Sequence, residues 1–176
     1  MSFFVQCNIA KLGEEVLRKK AKKVKDVNAN EIKEIIEKLK VCVHKRDGVG
    51  LAAPQIFHSY QIIVLSSRPN ARYPNAPTME DEIMINPKII KKSKRKEKDW
   101  EGCLSVPGIR ALVPRHTKVK VKYLSKDNEE KEIVLKDFVA RVFQHEFDHL
   151  KGLVYLDRVE DNKDIVSEEF YLKNIL

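Results

Sequence analysis

Residues 137–151 read as a helix with almost no solvent face, and that helix carries the pattern H-E-x-x-H. Arg141, Gln144, Asp148 and Lys151 recur at helical spacing and form one polar stripe. Phe138, Val139, Val142, Phe143, Phe147 and Leu150 fill the rest of the surface, joined by His145, Glu146 and His149. Asp137 is expected to cap the start and Gly152 to end it. A polar group without a partner on that apolar side costs about 1–3 kcal/mol, and an unpaired charge more. A metal held by His145 and His149 removes the cost, and proton movement gives Glu146 a reason to lie between them. A lone histidine is usually an ordinary core residue; two on one buried face point to a metal site.

A chain of 176 residues with 43% hydrophobic and 7% aromatic content suits one domain, residues 1–176, with a substantial core. No stretch reaches the apolar length of a membrane span. The start, Met1 to Cys7, lacks the basic residues and long apolar core of a secretory signal, and no Arg-rich transit segment is present. Three cysteines in no regular spacing argue for a reducing compartment, with Cys7 and Cys42 as plain unpaired thiols. The net charge of +8 is concentrated in runs at 18–23 and 91–98. These read as solvated faces with a modest attraction to polyanions such as ribosomal RNA. No aromatic interleaving accompanies them, so neither specific nucleic-acid binding nor a membrane partner is expected.

Glu14 to Lys23 reads as a short basic helix. Asn28 or Asn30 opens a longer one, with Ile32, Ile35, Ile36, Leu39 and Val43 on one face, ending before Gly48. Gln61 to Ser66 and Glu82 to Asn86 are extended, separated by a Pro-rich exposed loop at 68–81. Lys118 to Leu124 alternates and pairs as a hairpin with Lys131 to Leu135, turning at Asp127-Asn128. Asp164 to Leu176 is expected to form a last helix, docking through Ile165, Phe170, Leu172 and Leu176. Strands and helices segregate, so the class is α+β: short antiparallel sheets around a central metal-binding helix, with the C-terminal helix packed outside.

A catalytic site of this kind takes three protein ligands. The metzincin extension of H-E-x-x-H matches as far as Gly152 and fails at Tyr155. A thermolysin-like pattern would take Glu168 or Glu169, whose simpler reading is surface charge near a chain end. The third candidate is Cys103 in Glu101-Gly102-Cys103-Leu104-Ser105; a Cys-His-His set is ordinary for zinc or ferrous iron. There the Leu104 N–H would lie where an oxyanion forms.

Three segments together resemble the signature motifs of the peptide deformylase family, type 1-like, in the family's order. They are Gly48-Val49-Gly50-Leu51-Ala52-Ala53-Pro54-Gln55, Glu101-Gly102-Cys103-Leu104-Ser105, and Gln144-His145-Glu146-Phe147-Asp148-His149. Further similarity surrounds them, in Val106-Pro107-Gly108, Arg110 to Arg115 and Val16-Leu17-Arg18, and covers about residues 9–160. The loop at 68–81 and the basic run at 91–98 look like insertions relative to compact bacterial members.

The resemblance implies removal of the formyl group from the N-terminal formyl-methionine of nascent polypeptides, releasing formate. It implies one divalent ion on Cys103, His145 and His149, iron(II) natively with zinc, nickel or cobalt as substitutes. A metal-bound water has its pKa lowered from about 15.7 towards neutrality; Glu146 would take its proton and return it to the departing amine. Gln55 and the Leu104 N–H would meet the oxyanion. The peptide would pair with Val49-Gly50, its methionine in a pocket including Phe138 and Val142, with Glu101 and Arg110 at the pocket or its entrance. Asp148 reads as structural, paired with an arginine. The rival readings are a zinc endopeptidase with a downstream glutamate ligand and a metal-stabilised RNA-binding module. The family implies formyl-Met nascent peptides as partners, with weak ribosome association through the basic surface. It occurs in bacterial cytoplasm and in plastids or mitochondria, and the lysine-rich insertions lean the expectation towards an organelle.

Overall fold

Ile32, Ile35, Ile36, Leu39, Cys42 and Val43 fall on one face of α1 (Asn30–Lys45), and all six are buried. That face packs on β1 (Gly50–Ala52) and β2 (Ile62–Leu65), whose every residue is buried. The computed structural model describes residues 6–176; the first five residues, part of the segment read for a secretory signal, lie outside the described residues. Cys42 is joined to Cys7 by a disulfide with a Cα–Cα distance of 5.3 Å, which corrects the expectation of plain thiols. Residues 35 apart in sequence meet because the N-terminal strap runs back over α1, a closure that cysteine spacing does not reveal. Two of the three cysteines therefore no longer argue for a reducing compartment.

Five antiparallel strands form the larger sheet in the order β1-β2-β3-β6-β7, with β3 at Glu82–Lys92, β6 at Lys118–Leu124 and β7 at Glu130–Lys136. The expected hairpin is present, Lys118 facing Lys136 and Leu124 facing Glu130. Val119, Val121 and Tyr123 alternate inward to a cluster with Phe143 and Leu135. A second sheet, β4-β5-β8, contains β4 (Lys96–Cys103), β5 (Val106–His116) and β8 (Ile165–Ser167). The basic run at 91–98 spans two strands: Lys91 and Lys92 end β3, and Lys96 begins β4.

The motif helix, α2 (Asp137–His149), contacts both sheets. Its polar stripe does not face water: Arg141, Gln144 and Asp148 are all buried, and only Lys151 is exposed. Arg141 donates to the Val113 and Glu97 carbonyls at 2.7 and 2.6 Å, and Gln144 spans the His116 backbone. The stripe is the helix's seam against the smaller sheet, satisfied by strand backbone rather than by solvent. Asp148 accepts from Arg115 at 2.6 Å and from Arg158 at 2.7 Å, the arginine pairing expected of it. Asp137 makes no side-chain cap; Lys136 holds the N-cap position. Gly152 does end the helix, at φ +76°, and a Cβ there would lie 2.6 Å from the Arg18 carbonyl oxygen.

Two helix expectations are corrected. Residues 14–23 form only a 3₁₀ turn at Glu15–Arg18 followed by extended chain, because Ala21 and Leu150 pair through their backbones. The last helix is α3 (Glu168–Asn174); β8 uses the residues before it, paired with Ile109–Ala111. Ile165, Phe170, Leu172 and Leu176 are exposed, and Tyr171 docks the helix instead, packed on Trp100.

Candidate active site

The antiparallel partner of β5 brings Cys103 to the end of β4, opposite Val106, with an irregularity between Glu101 and Cys103 that turns the sulfur towards α2. One turn of α2 carries His145 and His149. The ligand atoms of Cys103, His145 and His149 lie within 4.8 Å of one another, all buried, with Cys103 Sγ 3.4 Å from His149 Nε2. Burial by itself would raise the Cys103 thiol, but the two imidazoles outweigh it and hold it well below its ordinary value. A thiolate and two imidazole nitrogens at this spacing suit a divalent ion of the zinc or ferrous type.

His145 Nδ1 lies 2.9 Å from Glu101 Oε2, which fixes the ring and leaves Nε2 for the site. Glu101 accepts from Arg115 at 2.9 and 3.0 Å and from Arg141 at 2.9 Å. Its carboxylate therefore works behind His145, although the residue also lines the cavity mouth. Tyr155 stacks on the other side of His145 at 5.8 Å.

Glu146 is buried and its Oε2 has no partner among the described residues. Burial pushes its carboxyl up to about 7, against the pull of His145 and His149. An orphaned oxygen beside three convergent donors fits a site that takes an ion and a reacting molecule. Among the described residues, His149 Nδ1 is a second buried side-chain atom without a partner. Glu168 and Glu169 are not in the group: Glu168 accepts from Arg110 at 2.8 Å, and Glu169 is exposed on α3.

Gln55 sits on a 3₁₀ turn directly after β1, its Oε1 accepting from the Ala52 N–H at 2.8 Å. That bond aims Nε2 at Ser105 Oγ, 3.2 Å away, and Cys103 Sγ, 3.4 Å away. Leu104 lies between them, its carbonyl held by Lys11 at 2.8 Å. A cavity of about 50 Å³ opens here, walled by Val49, Gly50, Phe138 and Val142. Gly50 allows a close approach: a Cβ there would be 2.8 Å from Val142 and 2.9 Å from Glu146.

Arg110 is fully buried beside the cavity, bonded to Glu168 and, at 3.1 Å, to the Tyr73 hydroxyl. Tyr73 packs on Phe138 with ring centroids 5.3 Å apart, so the loop at 68–81 is a wall of the site rather than a free excursion. Sequence reasoning gave no site role to Arg115, Arg141, Ser105, Tyr73 or Tyr155. The one signal available was an arginine on the polar stripe of an otherwise buried helix, which must find an acid.

Comparison with known proteins adds an independent finding. The family model described as Polypeptide deformylase matches residues 6–164. Peptide deformylase 2 of Nostoc sp. is 49% identical over 163 residues, covering 93% of this chain and 91% of the relative. Among solved structures, the Met-Ala-Ser-bound class I type b peptide deformylase from Acinetobacter baumannii is 42% identical. It superposes with a TM-score of 0.83, covering 86% of this chain and 96% of that one. An actinonin complex of a peptide deformylase from Synechococcus elongatus is 33% identical with a TM-score of 0.80, covering 92% and 83%.

Proposed function

This chain belongs to the polypeptide deformylase family, and from that premise we propose how its own residues carry the reaction. It is a metal-dependent hydrolase that removes the N-formyl group from the N-terminal methionine of nascent polypeptides. Residues 1–176 act as one catalytic domain. Cys103, His145 and His149 hold one divalent ion, iron(II) natively, with zinc, nickel or cobalt as substitutes. Bound there, the ion supplies Lewis acidity and a nucleophile at neutral pH.

Glu146 takes the proton released as the formyl carbon is attacked and returns it to the leaving amine. Burial supports this role, because it keeps the carboxyl's proton affinity near neutrality. The Gln55 amide and the Leu104 N–H meet the oxygen that gains charge. Gln55 is already oriented for it by its bond to Ala52. Glu101, held by two arginines, positions His145. β1 is an edge strand of its sheet, so Gly50, with Val49 just before it, offers its outward backbone groups for an extended peptide to pair with. Phe138 and Val142 receive the methionine side chain, and Arg110 holds Tyr73 at the entrance.

The observation that carries this reading is the convergence of the Cys103 sulfur and both imidazoles beside the partnerless Glu146 oxygen. It also weighs against an endopeptidase using a downstream glutamate, since Glu168 is engaged with Arg110. No helix among the described residues is long and apolar enough to cross a membrane. The relatives named above are bacterial, which supports a bacterial cytoplasm over an organelle, and the excess charge supports weak attraction to the ribosome. The test is mass spectrometry on formyl-Met-Ala-Ser beside an unblocked longer peptide. Loss of the formyl mass, abolished in Cys103→Ala, is expected; internal cleavage of the unblocked peptide would overturn the assignment.

A further inference from the structure

The outer face of the larger sheet carries a cost that the fold does not explain. Register sets Lys88 opposite Lys122, Lys91 opposite Lys120, and Lys118 opposite Lys136. Like charges directly opposite each other destabilise a sheet. Glu132 and Glu130 relieve Lys120 and Lys122, but Lys88, Lys91, Lys92, Lys118 and Lys136 have no ion pair among the described residues.

Lys92 stands at the corner where this face ends. Its partner Val119 points into the core, so Lys92 turns to the opposite side of the sheet from Lys91. It lines two clefts. One, of about 280 Å³, lies over the outer face with Lys91, Lys118 and Lys120. The other, of about 430 Å³, lies beside the C-terminal half of α2 with Lys96 and Lys151. Three carboxylates border the second cleft, and each is already engaged: Asp148 by Arg115 and Arg158, Asp157 by Arg18, Glu160 by Lys98. His116, on the same wall, is lowered first by burial and further by Lys92 and Lys96, as a positive field requires.

We propose that the two clefts meeting at Lys92 form one continuous track for the phosphate backbone of RNA. The cations turn from the outer face of the sheet into the cleft beside α2, a bent path that suits a flexible polyanion better than a flat anionic membrane. Two rings line the second cleft: Phe147 is covered by the Lys151 ammonium 4.3 Å from its centroid, and His116 is tied through Nδ1 to the Ser93 carbonyl at 2.6 Å. Lysines supply most of the track's contacts, so recognition is of the backbone and indifferent to sequence. The choice of RNA over other polyanions rests on the family's action on nascent chains; the cation track itself does not.

The test is fluorescence anisotropy of the full chain titrated into labelled single-stranded oligouridine and oligoadenosine. Both should bind alike, with affinity falling steeply as salt rises. Lys91→Glu with Lys92→Glu should weaken binding at least tenfold at roughly 100 mM salt and reduce the log–log salt slope by about 1.4. Should that variant unfold, Lys91→Gln with Lys92→Gln should still weaken binding about fivefold. Lys25→Glu with Lys33→Glu makes the same change in net charge on exposed residues elsewhere and should stay within about twofold of the parent. All variants should deformylate formyl-Met-Ala-Ser at the parent rate, which separates this proposal from the catalytic one. An equal loss in the control pair would overturn the track. So would polyglutamate, duplex DNA or anionic phosphatidylglycerol vesicles competing as well as RNA at matched charge.

Discussion

At the scale of single residues, Glu146 and Gln55 carry the sharpest predictions because each has one atom aimed at the site. Glu146→Gln keeps the shape of the side chain and removes its proton affinity. Turnover should fall about a hundred- to ten-thousandfold, while metal analysis finds the ion still bound; unchanged formate release would remove Glu146 as proton carrier. Metal removal gives a direct measurement on the same group. In metal-free protein, carbon-13 NMR should find the Glu146 carboxyl titrating at about 7, because burial disfavours its charged form. Adding zinc places positive charge beside the carboxylate, favours ionisation and should move that transition downward. Gln55→Ala should lower kcat/KM about a hundredfold, read by steady-state formate release. The chemistry at this scale was legible in the sequence, because H-E-x-x-H fixes which side chains share a helical face. The partners that orient them were not. Arg115 is 14 residues from Glu101 and 33 from Asp148, and nothing in the local pattern pairs them.

At the scale of elements, α2 and β5 are joined by buried charge. Burial would raise the Glu101 carboxyl, yet Arg115 and His145 outweigh it and hold it well below the usual carboxylate range. A carboxyl depressed by folding stabilises fully above its unfolded titration, and that stability is lost as pH falls through the folded value. Arg115→Met should therefore cost about 3–5 kcal/mol at neutral pH in urea unfolding, and the midpoint of acid unfolding should move to higher pH. Gly50 is the point where β1 touches α2. Gly50→Ala should push Glu146 aside and lower kcat about a hundredfold, and crowding of the buried Val142 and Glu146 should cost about 1–3 kcal/mol in urea unfolding. Elements with a strong period were readable: α1 and the β6–β7 hairpin appear where their alternation puts them. Residues 14–23 and 164–176 misled because charge and scattered apolar residues imitate a helix face. There the backbone pairs with distant partners instead, Ala21 with Leu150 and Ile165 with Ala111.

At the scale of the whole molecule, the disulfide ties the N-terminal strap to α1, and the strap in turn lies against the site. The Ala10 N–H donates to the Gln55 carbonyl and the Leu12 N–H to the Ser105 carbonyl, both at 2.8 Å. Reduction should lower stability by about 2–4 kcal/mol, measured by urea unfolding with and without dithiothreitol, and thiol counting in denaturant should find one free cysteine before reduction, Cys103. Three thiols before reduction would remove the link. The sequence by itself determined the fold class, the buried motif helix, its metal-ligating histidines and, through the order of three motifs, the likeness to a family. These depend on local period and on covalent order, which one dimension records. Only the tertiary structure decided that Cys7 meets Cys42, that the polar stripe of α2 is a seam, that the loop at 68–81 walls the pocket, and that unpaired lysines line a corner. Each of those depends on which surfaces pack together, and burial of a polar side chain is set by its neighbours across the fold rather than by those along the chain.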